Sequence, residues 1–224
     1  MFVTPIVNEW GETTYQPTAL GLAVLIVIMA AVLLAGAAQS GKKKKTFSTR
    51  RLAFSALAIA LAEVASMIKV IDMPMGGSVT LLSMLFIVLV GYWYGLGAGL
   101  TAGFAYGVLQ LCIDPYILTI PQMLVDYIFS FTALGLSGVF SNAKHGLTKG
   151  YILGAAARYF FAFLSGWLFF GEYAGSYGFS SGVIYSLAYN IAYIGTEAVI
   201  TLAVINIPVV KNALAYVKQL ACAN

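Results

Sequence analysis

Seven apolar segments, most of them near the roughly 20 residues that a helix needs to cross a bilayer, restrict what this chain can fold into. Only 9% of the residues are charged, whereas soluble domains carry about 25%. No polar stretch between the segments is long enough to form a soluble domain. We therefore predict an all-α integral membrane protein with helices over 18–37, 52–71, 79–93, 94–113, 123–142, 151–171 and 183–209.

The basic residues predict the orientation of these helices, because Lys and Arg accumulate on the cytoplasmic side of a membrane. Threading the seven helices alternately places ten of the twelve Lys and Arg residues on one side. The N-terminus is then outside and the C-terminus inside. We divide the chain into residues 1–45, with the first helix and a basic cytoplasmic linker, and residues 46–224, a six-helix membrane domain.

Motifs for enzymatic chemistry are weak or missing in this sequence. The stretch "GFSSG" over 178–182 has the spacing of a serine nucleophile, but the only histidine, His145, is predicted on the opposite side of the membrane. There is no zinc motif and no phosphate-binding loop of the type that holds ATP. Cys112 and Cys222 are predicted on opposite sides and should not form a disulfide. We predict a non-enzyme without a metal or cofactor.

Four ionisable residues fall within the apolar segments, where a charge is costly and usually functional. Glu63, Arg158 and Glu197 could pair with one another and lock the helices together. Asp126 is predicted in the first turn of a helix that enters from outside, where it can face a water-accessible pocket and gain from the helix dipole.

Aromatic residues are frequent in the same outer half of the predicted bundle. Some of them should belong to the aromatic belt of a membrane protein. However, Tyr127 follows Asp126, and Tyr185 and Asn190 lie in the last helix. A carboxylate, aromatic faces and an amide together suit a flat cation that also forms hydrogen bonds. The residues therefore predict a pocket for a small aromatic cation.

Small residues recur every four positions in two of the helices, a spacing that allows close helix packing. Ala56 and Ala60 give this spacing in the second helix, and Gly95, Gly99, Gly103 and Gly107 give it in the fourth. The glycines favour packing inside the bundle. The alanine face could pack internally or dock onto a separate membrane subunit.

Five stretches in collinear order resemble one transporter family. They are "MPMGGSVTLLSML", "GLTAGFAYGVLQ", "YILTIPQMLVDYIFSFTALGLSG", "RYFFAFLSGWLFFGEYA" and "YSLAYNIAYIGTEAVI". The chain from about residue 50 to 210 is similar to the thiamine-specific substrate-binding (S) components of bacterial energy-coupling factor (ECF) transporters. The resemblance implies a six-helix S-component bundle in the bacterial cell membrane, with one extra N-terminal helix in this chain.

The resemblance also implies ligands, partners and site residues. The ligand would be thiamine, and the partners would be a transmembrane coupling subunit and two ATPases in the lipid bilayer; no nucleic acid is involved. Ala56 and Ala60 match the docking face for the coupling subunit. The residues that match ligand-binding positions are Asp126, Tyr127, Arg158, Phe170, Tyr185 and Asn190.

Three features depart from the family pattern. Ala162 stands where a pocket histidine is common, Phe170 stands where a Trp can occur, and the helix over 18–37 is additional. The first two leave open a related ligand, such as a thiamine precursor or analogue, or another vitamin. A multi-pass membrane enzyme and a structural scaffold are the remaining alternatives.

Overall fold

A computed structural model describes residues 3–7, 13–20, 23, 24, 27 and 49–223. The predicted helix over 18–37 and the basic linker that follows it lie almost entirely outside the described residues, as does the domain boundary at residue 45. Near the N-terminus, β1 (Val3–Val7) pairs with β2 (Thr13–Pro17) in an antiparallel hairpin.

Seven helices make up most of the described chain from residue 49 onward. The prediction of a helical membrane protein is confirmed, since four of these helices are long and apolar enough to cross a bilayer, α3 to α6. The helices are α1 (Thr49–Met67), α2 (Ser83–Tyr94), α3 (Leu96–Ile113), α4 (Ile120–Phe140), α5 (Gly146–Phe170), α6 (Gly182–Asn206) and α7 (Pro208–Cys222).

A short β-hairpin separates α1 from α2, where the sequence predicted helix up to residue 71 and again from residue 79. Strands β3 (Lys69–Asp72) and β4 (Ser78–Thr80) pair antiparallel. The turn between them contains Pro74 and Gly76, and Gly76 adopts a positive φ of 82° that a helix cannot accommodate. Because the strands of the hairpin are apolar, the predicted helices on both sides extended into them.

The predicted glycine packing is confirmed between α3 and α4. A Cβ atom on Gly103 would lie 2.5 Å from the carbonyl oxygen of Phe131, and one on Gly107 would lie 2.5 Å from that of Tyr127. Gly99 likewise faces Gly135. Gly95 also lies against α4, since a Cβ atom on Gly138 would lie 2.4 Å from its carbonyl carbon. With a φ of 89°, Gly95 itself forms the tight turn between α2 and α3.

The last predicted helix, over 183–209, ends at Asn206, and a further helix that was not predicted follows it. Ile207 is extended and Pro208 begins α7, because proline is favoured in the first turn of a new helix. Helix α7 folds back along one end of the bundle and is held there by two hydrogen bonds. Lys218 donates to the Ser141 carbonyl over 2.6 Å, and the Tyr94 hydroxyl donates to the Ala221 carbonyl over 3.1 Å. It therefore closes the end of the bundle at which α2 and α4 terminate.

The acidic and basic groups within the bundle do not pair as the sequence allowed. No ion pair joins Glu63, Arg158 and Glu197 in the part of the chain that the structure describes. The carboxylate of Glu197 instead accepts four hydrogen bonds, from the backbone and hydroxyl of Thr80, the hydroxyl of Ser83 and the backbone of Met84. Glu197 thus joins α6 to the start of α2.

The serine motif and the cysteines have structural explanations. In "GFSSG", Ser180 holds the nucleophile position, and the next residue, Ser181, accepts a hydrogen bond from the Ile184 backbone and caps α6. His145 directly precedes α5, whereas Ser180 follows α5, so the histidine does not stand beside Ser180 as a base. Cys112 and Cys222 are both free thiols, as predicted.

Candidate ligand-binding site

A cavity of about 350 Å³ lies inside the bundle. Its volume falls within the roughly 300–1,000 Å³ of small-molecule sites. Helices α1 to α6 and the β3–β4 hairpin all contribute to its lining, which combines acidic, basic, amide and aromatic side chains. This combination suits a small ligand that has both rings and polar groups.

The six residues predicted to bind a ligand all line this cavity. Three helices bring them together: α4 carries Asp126 and Tyr127, α5 carries Arg158 and Phe170, and α6 carries Tyr185 and Asn190. The structure thus gathers the predicted set into one place, while the contact of each residue with a ligand stays a prediction.

Two of these helices widen into a π-helix beside the cavity. The segment Leu124–Phe129 of α4 contains Asp126, and the segment Ile191–Gly195 of α6 follows Asn190 directly. Such segments occur frequently at functional sites. Because α4 begins at Ile120, Asp126 lies in its second turn and not in the first, so the helix dipole contributes less than the sequence suggested.

Gln122 fixes the carboxylate of Asp126. Its Nε2 atom donates to Asp126 Oδ2 over 2.7 Å and to the Tyr116 carbonyl over 3.1 Å, and its Oε1 accepts from the Leu118 backbone over 3.0 Å. Gln122 is almost fully buried. The carboxylate is therefore held in place by a neutral group and keeps its charge available to a ligand.

Aromatic rings form much of the remaining wall. Tyr116 stacks on Phe170 with ring centroids 6.0 Å apart, and Tyr185 contacts Tyr189 at 5.7 Å. The Tyr127 hydroxyl accepts from the Tyr116 backbone over 2.7 Å. These contacts keep the rings in place, so that a ligand meets preformed aromatic surfaces.

The charges in the lining leave an excess of one negative charge. The carboxylates are those of Glu63, Asp114 and Asp126, and the cations are Lys69 and Arg158. Lys69 forms an ion pair with Asp114 over 3.0 Å. Arg158 has no ion pair among the described residues, and its guanidinium lies 4.4 Å from the ring centroid of Phe131. A monocation would neutralise the cavity.

The amide of Asn190 is already partly engaged within α6. Its Nδ2 atom donates to the Ser186 carbonyl over 2.9 Å, and its Oδ1 accepts from the Tyr193 hydroxyl over 3.0 Å. A carbonyl-type oxygen has two lone pairs, so Oδ1 can still accept one hydrogen bond. We therefore expect Asn190 to act on a ligand as an acceptor.

The sequence alone did not identify every polar residue of the cavity. Gln122 had a signal, since a Gln four residues before an Asp can form a hydrogen bond on a helix. The role of Tyr189 had no signal in the sequence. Its hydroxyl accepts a hydrogen bond from the Gly77 backbone over 3.0 Å and donates one to the Pro74 carbonyl. This contact holds the β3–β4 hairpin against α6, more than a hundred residues away in sequence.

The two positions that depart from the family pattern both line the cavity. Ala162 and Phe170 are buried, and their side chains border the same space. Gly166, one helical turn beyond Ala162, keeps α5 close to Ser186 and Asn190. The small residues Ala162 and Gly166 leave room that a larger side chain would fill.

Ala56 and Ala60 lie outside the cavity, on the exposed side of α1. The alanines between them point the other way, since Ala58 and Ala62 are buried in the bundle. The interleaved alanines thus belong to two opposite faces. Among the described residues, Ala58 and Ala62 pack inside the bundle, whereas Ala56 and Ala60 do not.

Together, the fold and the cavity define a multi-pass membrane protein with a small-molecule site enclosed by six helices. The chain belongs to the thiamine transporter protein family, whose family model matches residues 52–217. The match therefore covers all six helices around the cavity and stops within α7.

Two relatives agree with this membership. The thiamine transporter ThiT of Bacillus subtilis (strain 168) is 36% identical over 140 residues, which cover 55% of this chain and 70% of the relative. A solved structure of ThiT from Listeria monocytogenes superposes with a TM-score of 0.61 at 27% identity, covering 76% of this chain and 96% of that one. The solved structure is an all-helical membrane protein, as predicted for this chain.

Proposed function

We propose that this chain is the substrate-capture subunit of an ECF-type vitamin importer and that it binds thiamine from outside. The observation that carries the proposal is the cavity lined by Asp126, by stacked aromatic rings and by one excess negative charge. Thiamine is a monocation with two flat rings joined by a methylene group, and it carries hydrogen-bonding groups. A charge–charge contact with Asp126 and cation–π contacts of about 0.5–2 kcal/mol per ring suit its recognition.

The test is calorimetric titration of the purified chain with thiamine. We expect one site with nanomolar affinity, about −12 kcal/mol. Calorimetry is preferable to tryptophan fluorescence, because Trp93 and Trp167, the tryptophans within the described ranges, do not line the cavity. If the chain does not bind thiamine but binds a precursor or another vitamin tightly, thiamine is the wrong ligand, while the proposal of a vitamin-capture subunit stands.

The orientation of the chain follows from its charges. The lining of the cavity includes Asp114 and residues of the β3–β4 hairpin, which follows the end of α1 opposite to Arg50. Arg50 lies at the α7 end, where it donates to the Ala223 carbonyl. Because basic residues accumulate at the α7 end, we place that end in the cytoplasm of a bacterial cell and the cavity at the outer side. Labelling of a cysteine at Ser176 from outside intact cells would measure this orientation directly.

Accumulation of the vitamin requires partner subunits in this proposal. The sequence has no phosphate-binding loop for ATP, so we expect the energy to come from ATPase subunits through a membrane-embedded coupling subunit. We propose the exposed face of α1 with Ala56 and Ala60 as the docking surface, because small side chains permit close approach of a second helix.

Replacing both Ala56 and Ala60 with Leu should therefore abolish uptake and leave thiamine binding unchanged. The added side chains hold the coupling subunit away from α1 and do not reach the cavity. The measurement is uptake by vesicles that contain the whole transporter, beside calorimetry of the purified chain. Ala156→Leu, on an exposed position of α5, is the control and should transport normally. Loss of binding together with uptake would show that the alanine face is needed for folding.

A further inference from the structure

Glu63 is a second carboxylate in the cavity, on a different wall from Asp126. It lies on α1, is only 8% exposed, and borders the cavity together with Ser66 of the same helix and Gln110 of α3. The sequence allowed Glu63 to pair with a basic residue in the bundle. In the described part of the chain it forms no ion pair.

Neutral donors hold the Glu63 carboxylate in place. Gln110 Nε2 donates to Glu63 Oε2 over 3.1 Å and to the Ser66 hydroxyl oxygen over 2.8 Å, and the Ser66 hydroxyl donates to the Glu63 carbonyl over 2.7 Å. Both N–H groups of the Gln110 amide are thus engaged. Its Oε1 atom remains as an acceptor that has no partner among the described residues.

Neither of the two cations that line the cavity forms an ion pair with Glu63. Lys69, the nearest lining cation in sequence, is paired with Asp114 over 3.0 Å and with Asp72 over 3.8 Å. Arg158 lies over Phe131 and belongs to the electrostatic surroundings of Asp126. A buried carboxylate is costly unless positive charge or further donors compensate it. For Glu63, an N–H donor of a molecule in the cavity can supply the remaining compensation.

We propose that Glu63 and Gln110 form a subsite for an amino group of the ligand. An exocyclic amino group offers two N–H donors, and the subsite offers two kinds of acceptor, a carboxylate oxygen and an amide oxygen. The cavity then recognises a two-ended molecule, with its cationic centre toward Asp126 and an amino-bearing ring toward Glu63. This subsite rests on the proposed function, since thiamine has both a cationic ring and an aminopyrimidine.

The test compares Glu63→Gln with the wild type in calorimetric titrations with thiamine and with an analogue in which hydrogen replaces the amino group. A carboxylate that accepts from the amino group should matter only when that group is present. We expect Glu63→Gln to weaken thiamine binding about tenfold or more and to change the affinity for the analogue less than twofold. Glu172→Gln, in the exposed segment after α5, is the control and should bind both ligands like the wild type.

An equal loss for both ligands would overturn the subsite, because it would assign Glu63 to holding α1 and α3 together. Unchanged thiamine affinity would overturn it as well, with the proposed function intact. If Glu63→Gln does not fold, Glu63→Asp is titrated instead. This variant keeps the charge but shortens the side chain by one methylene, so we expect it to lose affinity for thiamine and not for the analogue. An equal loss of affinity for both ligands overturns the subsite. Failure of the wild type to bind thiamine would contradict the proposed function itself.

Discussion

Replacing Asp126 with Asn is expected to weaken thiamine binding at least tenfold, or about 1.4 kcal/mol, and to leave the fold intact. Asn has nearly the same shape as Asp, and its oxygen can still accept the hydrogen bond from Gln122. Only the charge is lost, and charge-assisted hydrogen bonds are roughly twice as strong as neutral ones. Asp126→Glu keeps the charge and changes the reach, so its loss should be smaller.

The measurement for both variants is calorimetric titration with thiamine, with a thermal melt to verify folding. Asp72→Asn is the matched control, because Asp72 is an exposed aspartate of β3 that does not line the cavity. We expect the control to bind like the wild type. If Asp126→Asn binds thiamine as tightly as the wild type, the carboxylate serves only the structure of α4.

Gly135→Ala is expected to destabilise the protein by about 3 kcal/mol, because α3 and α4 cross with their backbones in contact. A Cβ atom at Gly135 would overlap the backbone of Gly99 and Leu100, which cannot move aside as the end of a flexible side chain can. The helices would have to separate, and α4 carries Asp126. The thermal melting temperature and the affinity for thiamine should therefore both fall.

Gly97→Ala is the control for this prediction. Gly97 lies in α3 as well, but nothing lies within 4 Å of the position where its Cβ atom would be. Alanine is the better helix former by about 1 kcal/mol, so this variant should melt at or above the temperature of the wild type. Equal melting temperatures for Gly135→Ala and the wild type would mean that the crossing is looser than described.

Much of the helical fold could be predicted, because long apolar segments carry a strong signal. From residue 49 onward, the elements that the prediction missed are short or amphipathic. The β3–β4 hairpin is apolar enough to be read as a continuation of the helices beside it. Helix α7 was missed because Lys211 and Lys218 interrupt its apolar residues, so that it falls below the hydropathy expected of a membrane span.

The candidate site was predictable to the extent that its residues are unusual for a membrane helix. Asp126 and Asn190 are polar residues in apolar segments, and both line the cavity. The partners of the buried charges could not be predicted, because they depend on contacts between distant segments. Glu197, for example, accepts hydrogen bonds from Thr80 and Ser83, more than a hundred residues before it.

The local widening of α4 and α6 was not predicted either. A π-helix changes the direction of the side chains that follow it by adding one residue to a turn. No residue type in Leu124–Phe129 or Ile191–Gly195 marks this change, and the sequence fits an ordinary α-helix equally well. Side-chain directions around Asp126 therefore had to come from the structure.

In the proposed function, the charge of Asp126 recognises the positive charge of thiamine. The most direct measurement is a cycle of four titrations, in which the wild type and Asp126→Asn each bind thiamine and an analogue whose thiazolium is replaced by a neutral ring. We expect the substitution to weaken thiamine binding at least tenfold and to weaken binding of the neutral analogue far less. Equal losses for the two ligands, or no loss for either, would contradict it.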